Sequence, residues 1–329
     1  MQDKRQDWLL GLLITAFWAA FLWAPSTQAA ETDDHCFVCP IELQQQVFFV
    51  QGLAALGTSA NRNFISNAGF VITQDRVVVI DALGSPDLAQ QLGREIKKRT
   101  HLPVTDVIVT HFHADHVYGL QVFQEAGARI WAHEAGKHYL YSDTAQARLA
   151  ASRVDLAPWV NENTRLVFAD EWLFANRTLN LGGVTFELKH VGPAHSPEDL
   201  VVYLPEARVL FSGDLMYRQR VPFVGQADSQ HWQQALSELA SLQVDWAVPG
   251  HGPATQLFVQ DLKLTQNYLQ FLRSTMAQAV QEGMTFEEAY QAVDWSAFAD
   301  LPLFGAANRM NAFNTYLLLE QEALKSPKN

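Results

Sequence analysis

Residues 111–116 read His-Phe-His-Ala-Asp-His, placing three imidazoles and a carboxylate directly after the apolar run Val107-Ile108-Val109. Alternate residues of an extended segment point the same way. His111 and His113 can therefore grip one ion while Asp115 and His116 reach a second. Residues 117–123 then carry apolar side chains at helical spacing, and the Asp115 carboxylate suits the start of a helix. A strand that empties into nitrogen and oxygen ligands ahead of a helix is built to hold metal. One such loop leaves the ligand sets incomplete, so the chain must fold with other segments brought to the same place.

Three later strand ends offer the missing groups. Residues 184–191 alternate as a strand and run into Gly192-Pro193-Ala194-His195, where His195 can complete a three-imidazole set with His111 and His113. Residues 200–204 and 208–211 flank Pro205-Glu206-Ala207 as a hairpin, and its second arm ends in Ser212-Gly213-Asp214, with Asp214 placed to bridge two ions. Trp246-Ala247-Val248 ends in Pro249-Gly250-His251-Gly252. The glycines there permit tight turns, and His251 can join Asp115 and His116 on the second ion.

This order, HxHxDH, then a single His, an Asp after a strand and a final GH, resembles the metallo-beta-lactamase-fold hydrolases over about residues 64–252. Residues 78–86 and 192–200 resemble in addition one subgroup, the exported metallo-hydrolases found with periplasmic quinoprotein dehydrogenase systems. The resemblance implies an α/β fold, a four-layer αββα sandwich with the metals at one edge of its two sheets. It also implies that Asp81 supports the metal loop by hydrogen bonding rather than by ligation. Read from the sequence alone, Asp81 is equally a turn residue ending a strand.

The chemistry expected of such ligands is hydrolysis. Two divalent ions share a water, lower its pKa and polarise the substrate's electrophilic oxygen, while Asp115 faces the water as a candidate proton acceptor. Two zinc ions per chain suit imidazole-rich sites with some carboxylate, and manganese or iron is also compatible with the ligand types. The iron-binding redox branch of the resembling family usually has Glu at the place of His113. Its antibiotic-degrading branch commonly has Cys or Ser at the place of Asp214, which points here to the branches that handle thioesters, lactones, and sulfate or phosphate esters. The expected activity is thus an exported binuclear zinc hydrolase that cleaves a small ester, thioester, lactone or related bond with a bridging hydroxide. The alternatives are a beta-lactamase-like activity, or a non-catalytic metal-binding accessory protein of a periplasmic quinoprotein oxidation system.

With 329 residues, 48% hydrophobic and 18% charged, the chain can bury a large core and is too weakly charged for disorder. The formal charge of −12 argues against a nucleic-acid surface, so a small-molecule substrate is the expected partner. Residues 1–8 are polar with Lys4 and Arg5, residues 9–23 are apolar, and small residues follow up to Ala29. Residues 1–29 read as a signal peptide, and the protein as periplasmic or secreted. The alternative is an uncleaved anchor that makes the only membrane contact and leaves the domain on the periplasmic side. Cys36 and Cys39, the only cysteines, then read as a local disulfide, with a redox pair or an auxiliary metal site with His35 as alternatives. The domains expected are an N-terminal segment at 30–45, a catalytic domain at 46–256 and a helical extension at 257–329.

Short apolar runs at 48–50, 64–65, 69–72 and 77–80 read as strands of one sheet, and 86–98 as a helix. Residues 134–159 read as a largely helical insertion suited to lining a pocket. Residues 257–282, 286–293 and 306–324 read as helices, the last with Met310, Phe313, Tyr316 and Leu317 on a recurring face. His133 and His138 fall outside the metal pattern and read as structural or surface residues. Tyr118, Trp159, Arg218 and Arg220 read as packing or surface residues, with substrate contact as the alternative. The same choice holds for residues 301–305.

Overall fold

Runs such as Val77-Val78-Val79-Ile80 are apolar at every position because both faces of their sheet are covered: Val77 and Val79 belong to one buried cluster, Val78 and Ile80 to another. The structure, a computed structural model, describes residues 36–325, and the proposed signal segment lies outside the described residues. The first sheet has seven strands in chain order, β1 Ile41–Gln44, β2 Val47–Val50, β3 Ala68–Ile72, β4 Val77–Ile80, β5 Val104–Ile108, β6 Arg129–His133 and β7 Glu171–Leu173. It is antiparallel from β1 to β4 and parallel from β4 to β7.

The second sheet runs β12-β11-β10-β9-β8, formed by β8 Arg177–Leu181, β9 Val184–His190, β10 Leu200–Leu204, β11 Val209–Phe211 and β12 Trp246–Val248. Parallel neighbours need crossovers. They are supplied by α1 Pro86–Lys97, by α2 Ala114–Val117 with α3 Leu120–Glu125, and by α4 Gly136–Leu140 with α5 Asp143–Asp155 in the first sheet. In the second, α6 Ser229–Leu239 lies between β11 and β12. The chain then adds α7 Phe258–Gln281, α8 Phe286–Ala292 and α9 Phe304–Lys325.

Three buried layers of side chains follow from this order. Phe49, Val71, Ile108 and Trp131 meet Phe186, Leu188, Val202 and Phe211 between the sheets. Phe70 and Val107 meet Leu88, Leu92 and Phe123 on the outer face of the first sheet. Val201 and Leu210 meet Trp232, Leu236, Leu262 and Tyr268 on the outer face of the second. The arrangement is the αββα sandwich with a helical extension. Among the described residues no helix is long and apolar enough to cross a membrane. Cys36 and Cys39 are both disulfide-bonded.

Three local expectations are corrected. Phe64-Ile65 is not a strand: Arg62 and Asn63 sit at positive φ (56° and 61°), which turns the chain out of the sheet and aims residues 65–67 at the ligand loops. The helix expected over 117–123 breaks at Gly119 into α2 and α3, because the backbone there lies so close to β4's exit that an added Cβ would stand 2.0 Å from the Ala82 carbonyl oxygen. On α9 only Tyr316 of the expected face is buried, while Met310, Phe313 and Leu317 are exposed and Asn308, Asn311 and Thr315 face inward. The reason is a polar network. Asn311 donates to the Pro222 carbonyl at 2.7 Å and to Tyr268 Oη at 2.9 Å, and accepts from Val224 N at 2.9 Å. Tyr268 Oη donates to Asn308 at 2.8 Å.

Candidate metal centre

Every ligand-type residue singled out in the sequence stands just beyond a strand, at one edge of the two sheets. The turn after β5 carries His111 and His113 and leads into α2 with Asp115 and His116, Asp81 leaves β4, His195 follows β9, Asp214 follows β11 and His251 follows β12. Two glycines make this crowding possible. Gly213 takes φ +52° against the Thr110 side chain, and a Cβ on Gly250 would fall 1.9 Å from Asp214 Oδ1.

The side chains converge as two groups. His111 Nε2 and His195 Nε2 lie 3.1 Å and 2.9 Å from His113 Nδ1, and this trio with Asp214 forms the first group. Asp115, His116 and His251 form the second, with Asp115 Oδ2 at 3.3 Å from His251 Nε2 and 3.7 Å from His116 Nε2. The Asp214 carboxylate sits between them. Its Oδ2 is 3.3 Å from His195 Nε2, 3.8 Å from His111 Nε2 and 3.3 Å from His251 Nε2, and its Oδ1 is 3.2 Å from His116 Nε2.

Burial and mutual charge together set the protonation of this cluster. It pushes the His111 and His195 imidazoles down, His195 to about 3, and so favours the neutral ring that can donate a lone pair. At His116 burial acts in the same sense but is outweighed by Asp214, Asp115 and Asp81, which hold its pKa well above the usual value. Asp214 is likewise buried, yet His251 and His116 keep its carboxyl well below the usual range. Ionised carboxylates among crowded imidazoles are a set of donors without enough protons to share. His116 Nε2 and Asp214 Oδ1 are buried 3.2 Å apart yet make no well-aligned hydrogen bond with each other or with any other group, which is what a cation taken up between the two groups would satisfy. The residues therefore fit a metal centre of nitrogen and carboxylate ligands.

Around the ligands runs a shell that orients them. Asp81, itself at φ +58°, accepts from Thr110 N at 2.8 Å and from Thr110 Oγ1 at 2.7 Å, and its Oδ2 stands 2.8 Å from His116 Nδ1. That contact fixes a proton on Nδ1, so that Nε2 is the nitrogen that gives up its proton to face a cation at the centre. His251 Nδ1 donates to the Ile65 carbonyl at 2.7 Å with the same effect. Ser66 Oγ donates to the Asp115 carbonyl, and Asn67 Nδ2 donates to the Pro249 and Gly252 carbonyls at 2.7 Å each. Tyr217 Oη donates to Asp214 Oδ2 at 2.6 Å, its ring parallel to that of His251 at 5.1 Å. Glu198, buried and raised by that burial, accepts from Phe112 N at 3.1 Å and so ties the His195 loop to the His111 loop.

Sequence reasoning missed Ile65, Ser66, Asn67, Tyr217 and Glu198. Only Glu198 carried a legible signal, an acid three residues after a ligand-type His. The remaining candidates are dispersed. His133 stacks on His190 at 3.5 Å, away from the two groups. Tyr118 bonds Ser152 and Trp159 Nε1 bonds the Ser59 carbonyl, so the 134–159 insertion braces the β2–β3 loop. Arg218 pairs with Asp261 at 2.9 Å. Pro302 accepts from Val221 N at 3.0 Å, which brings the 301–305 segment against the chain just after Arg220.

Comparison with known proteins accords with this geometry. The model of the metallo-beta-lactamase superfamily matches residues 61–251, which contain all seven converging side chains. The linear primary-alkylsulfatase of Pseudomonas sp. (strain ATCC 19151) is 23% identical over 252 residues, 66% of this chain; the match spans only 48% of that protein's length. Metallo-beta-lactamase IND-1 of Chryseobacterium indologenes is 22% identical over 228 residues, 68% of this chain and 84% of its own. Among solved structures, the inverting sec-alkylsulfatase Pisa1 of Pseudomonas sp. superposes with a TM-score of 0.68 at 17% identity, over 89% of this chain and 52% of that one. At that identity the likeness concerns the fold.

Proposed function

The chain belongs to the metallo-beta-lactamase superfamily, and from that premise we propose that it is an exported, binuclear zinc hydrolase acting on a small ester, thioester, lactone or related bond. The observation that carries the reading is the Asp214 carboxylate, within 3.2–3.8 Å of imidazole nitrogens from both groups. A carboxylate so shared suits a pair of cations held close together.

In this reading His111, His113 and His195 hold one ion, Asp115, His116 and His251 the other, and Asp214 reaches both. The chemistry supplied by bound divalent cations is Lewis acidity, which makes water acidic and a substrate oxygen electrophilic. The chain's own residues do the rest. Asp81 and the Ile65 carbonyl keep His116 and His251 in the tautomer that presents Nε2. Tyr217 holds the Asp214 carboxylate in place. Asp115, whose side chain is 14% exposed against 4% or less for His116, Asp214 and His251, is the group open to a reactant and able to take up the proton that water releases.

The phrases at 78–86 and 192–200 support placing the protein beside a periplasmic quinoprotein oxidation system, reached through the segment at 1–29. The alkylsulfatase and beta-lactamase relatives add sulfate esters and beta-lactams to the substrates worth testing. The experiment is a panel of these bonds assayed with the metal-reconstituted protein, with metal content measured by elemental analysis. Turnover that scales with bound metal and falls at least a hundredfold in a folded His113→Ala variant is expected. Full metal loading without turnover of any member would replace the hydrolase reading with that of a metal-binding accessory protein.

A further inference from the structure

Arg220 is 0% exposed, the most buried guanidinium of the described chain, and it is also the worst partnered. Partly buried arginines of the described residues find acceptors: Arg62 meets Asp87, Arg99 meets Glu95, Arg218 meets Asp261, Arg273 meets Glu322, and Arg153 donates to the Asn161 and Thr164 carbonyls. Among the described residues no carboxylate lies within ion-pair distance of Arg220, and its Nε and Nη2 have no hydrogen-bond partner. Its Nη1 stands 3.1 Å from His251 Nδ1. That nitrogen faces the Ile65 carbonyl at 2.7 Å. Because a carbonyl oxygen can only accept, His251 Nδ1 carries the proton and cannot also accept from Arg220. All five N–H donors of a buried cation are thus left without an acceptor; the Tyr217 and Phe223 rings, at 5.6 Å and 4.8 Å, and the charges of Asp214 and Asp115 beyond ion-pair distance offset the charge without bonding the fork.

The segment carrying this side chain is braced unusually well. Gln219 takes φ +54°, so the chain turns sharply just before Arg220. Just after it, Val221 N donates to the Pro302 carbonyl at 3.0 Å, Asn311 Nδ2 donates to the Pro222 carbonyl at 2.7 Å, and Val224 N donates to Asn311 Oδ1 at 2.9 Å. The C-terminal region therefore holds a cation with unbonded donors beside the ring of a metal-ligand histidine. Holding a side chain rigid at that position is useful if its partner arrives from outside.

From this we infer that Arg220 is the seat of an oxyanion carried by the substrate, so that the protein selects molecules bearing a carboxylate, sulfate or phosphate group. The guanidinium fork matches the paired oxygens of such a group, and the shortage of acceptors around it is made good only when one is present. The substrate half of this inference rests on the hydrolase reading, whereas the anion half does not.

The test titrates inorganic sulfate, inorganic phosphate and acetate into the full chain, metal-free and metal-reconstituted, at constant ionic strength with chloride as the control. Wild type is compared with Arg220→Met, which keeps most of the volume, and Arg220→Lys, which keeps the charge without the fork. Saturable one-to-one binding of at least one oxyanion is expected, at least tenfold weaker in Arg220→Met and intermediate in Arg220→Lys; which anion binds tightest identifies the group. In parallel, the ratio of kcat/KM for an anionic ester to that for its uncharged analogue should fall at least tenfold in Arg220→Met. Should Arg220→Met fail to fold, the same comparison with Arg220→Lys decides. No saturable oxyanion binding in wild type, or equal binding and an unaltered ratio in the folded variants, overturns the inference. If no ester is turned over at all, the hydrolase reading fails while the titration still scores Arg220.

Discussion

Replacing Asp81 by Asn should disable the second ligand group without unfolding the protein. Asn tolerates the left-handed φ of +58° as well as Asp does, so the backbone has no reason to move. The Thr110 N–H, at 2.8 Å from Oδ1, keeps an acceptor, and the Thr110 hydroxyl can rotate to accept from the new amide. His116 cannot adapt in this way. Its Nδ1 stands 2.8 Å from Oδ2, and an amide N–H placed there turns that nitrogen into an acceptor and moves the ring proton to Nε2, the atom aimed at the centre. Binding an ion then requires the proton to move back and leaves two donors facing each other. Outer-shell partners of this kind are worth about 10- to 100-fold in metal affinity, or roughly 1.4–2.7 kcal/mol. Zinc affinity measured by competition with a chromophoric chelator should drop by that factor for the weaker site, with the circular dichroism spectrum unchanged. An affinity within threefold of wild type would refute the tautomer argument.

Three further outcomes are expected. Asn311→Ala removes a buried amide that serves Val224 N, the Pro222 carbonyl and Tyr268 Oη, and at about 1 kcal/mol for each bond it should cost about 3 kcal/mol in urea denaturation. Tyr217→Phe deprives the buried Asp214 carboxylate of its donor, so the metal-free protein should lose about 1.5–3 kcal/mol. Part of that loss should return on metal loading; an equal loss with and without metal would argue against Asp214 as a ligand. Burial, helped by neighbouring His190, pushes His133 down to about 4. The unfolded chain then binds a proton between pH 6.5 and 4 that the folded chain refuses, so stability present above pH 6.5 is lost as pH falls through that window, by up to about 3 kcal/mol. His133→Phe, which keeps a ring against His190, should flatten this part of the stability profile in denaturation measured at pH 7 and pH 5.

How much of this was legible differs from element to element. The strands that carry the ligand-type residues were legible because an apolar run ending at a polar loop is a local pattern, and that pattern is complete within each of β5, β9, β11 and β12. The face of α9 was not. Periodicity marks apolar residues, but the helix buries Asn308 and Asn311, whose partners are a tyrosine on α7 and the backbone of the 222–224 segment, and Thr315 beside them. Phe64-Ile65 was misread for a related reason, as an apolar dipeptide looks like a strand until two left-handed residues ahead of it redirect the chain.

The sequence by itself determined which chemical groups are present and in what order, and hence the family, because ligand type and spacing are properties of the chain read along its length. Tertiary structure alone decided that Asp214 lies between two groups of ligands, that a backbone carbonyl at Ile65 selects the tautomer of His251, and that Arg220 is sealed in with its fork unbonded. Those are properties of distance and burial between residues up to 186 positions apart in the chain, and they come into being only when the two sheets close on each other and remove water from around the groups they bring together.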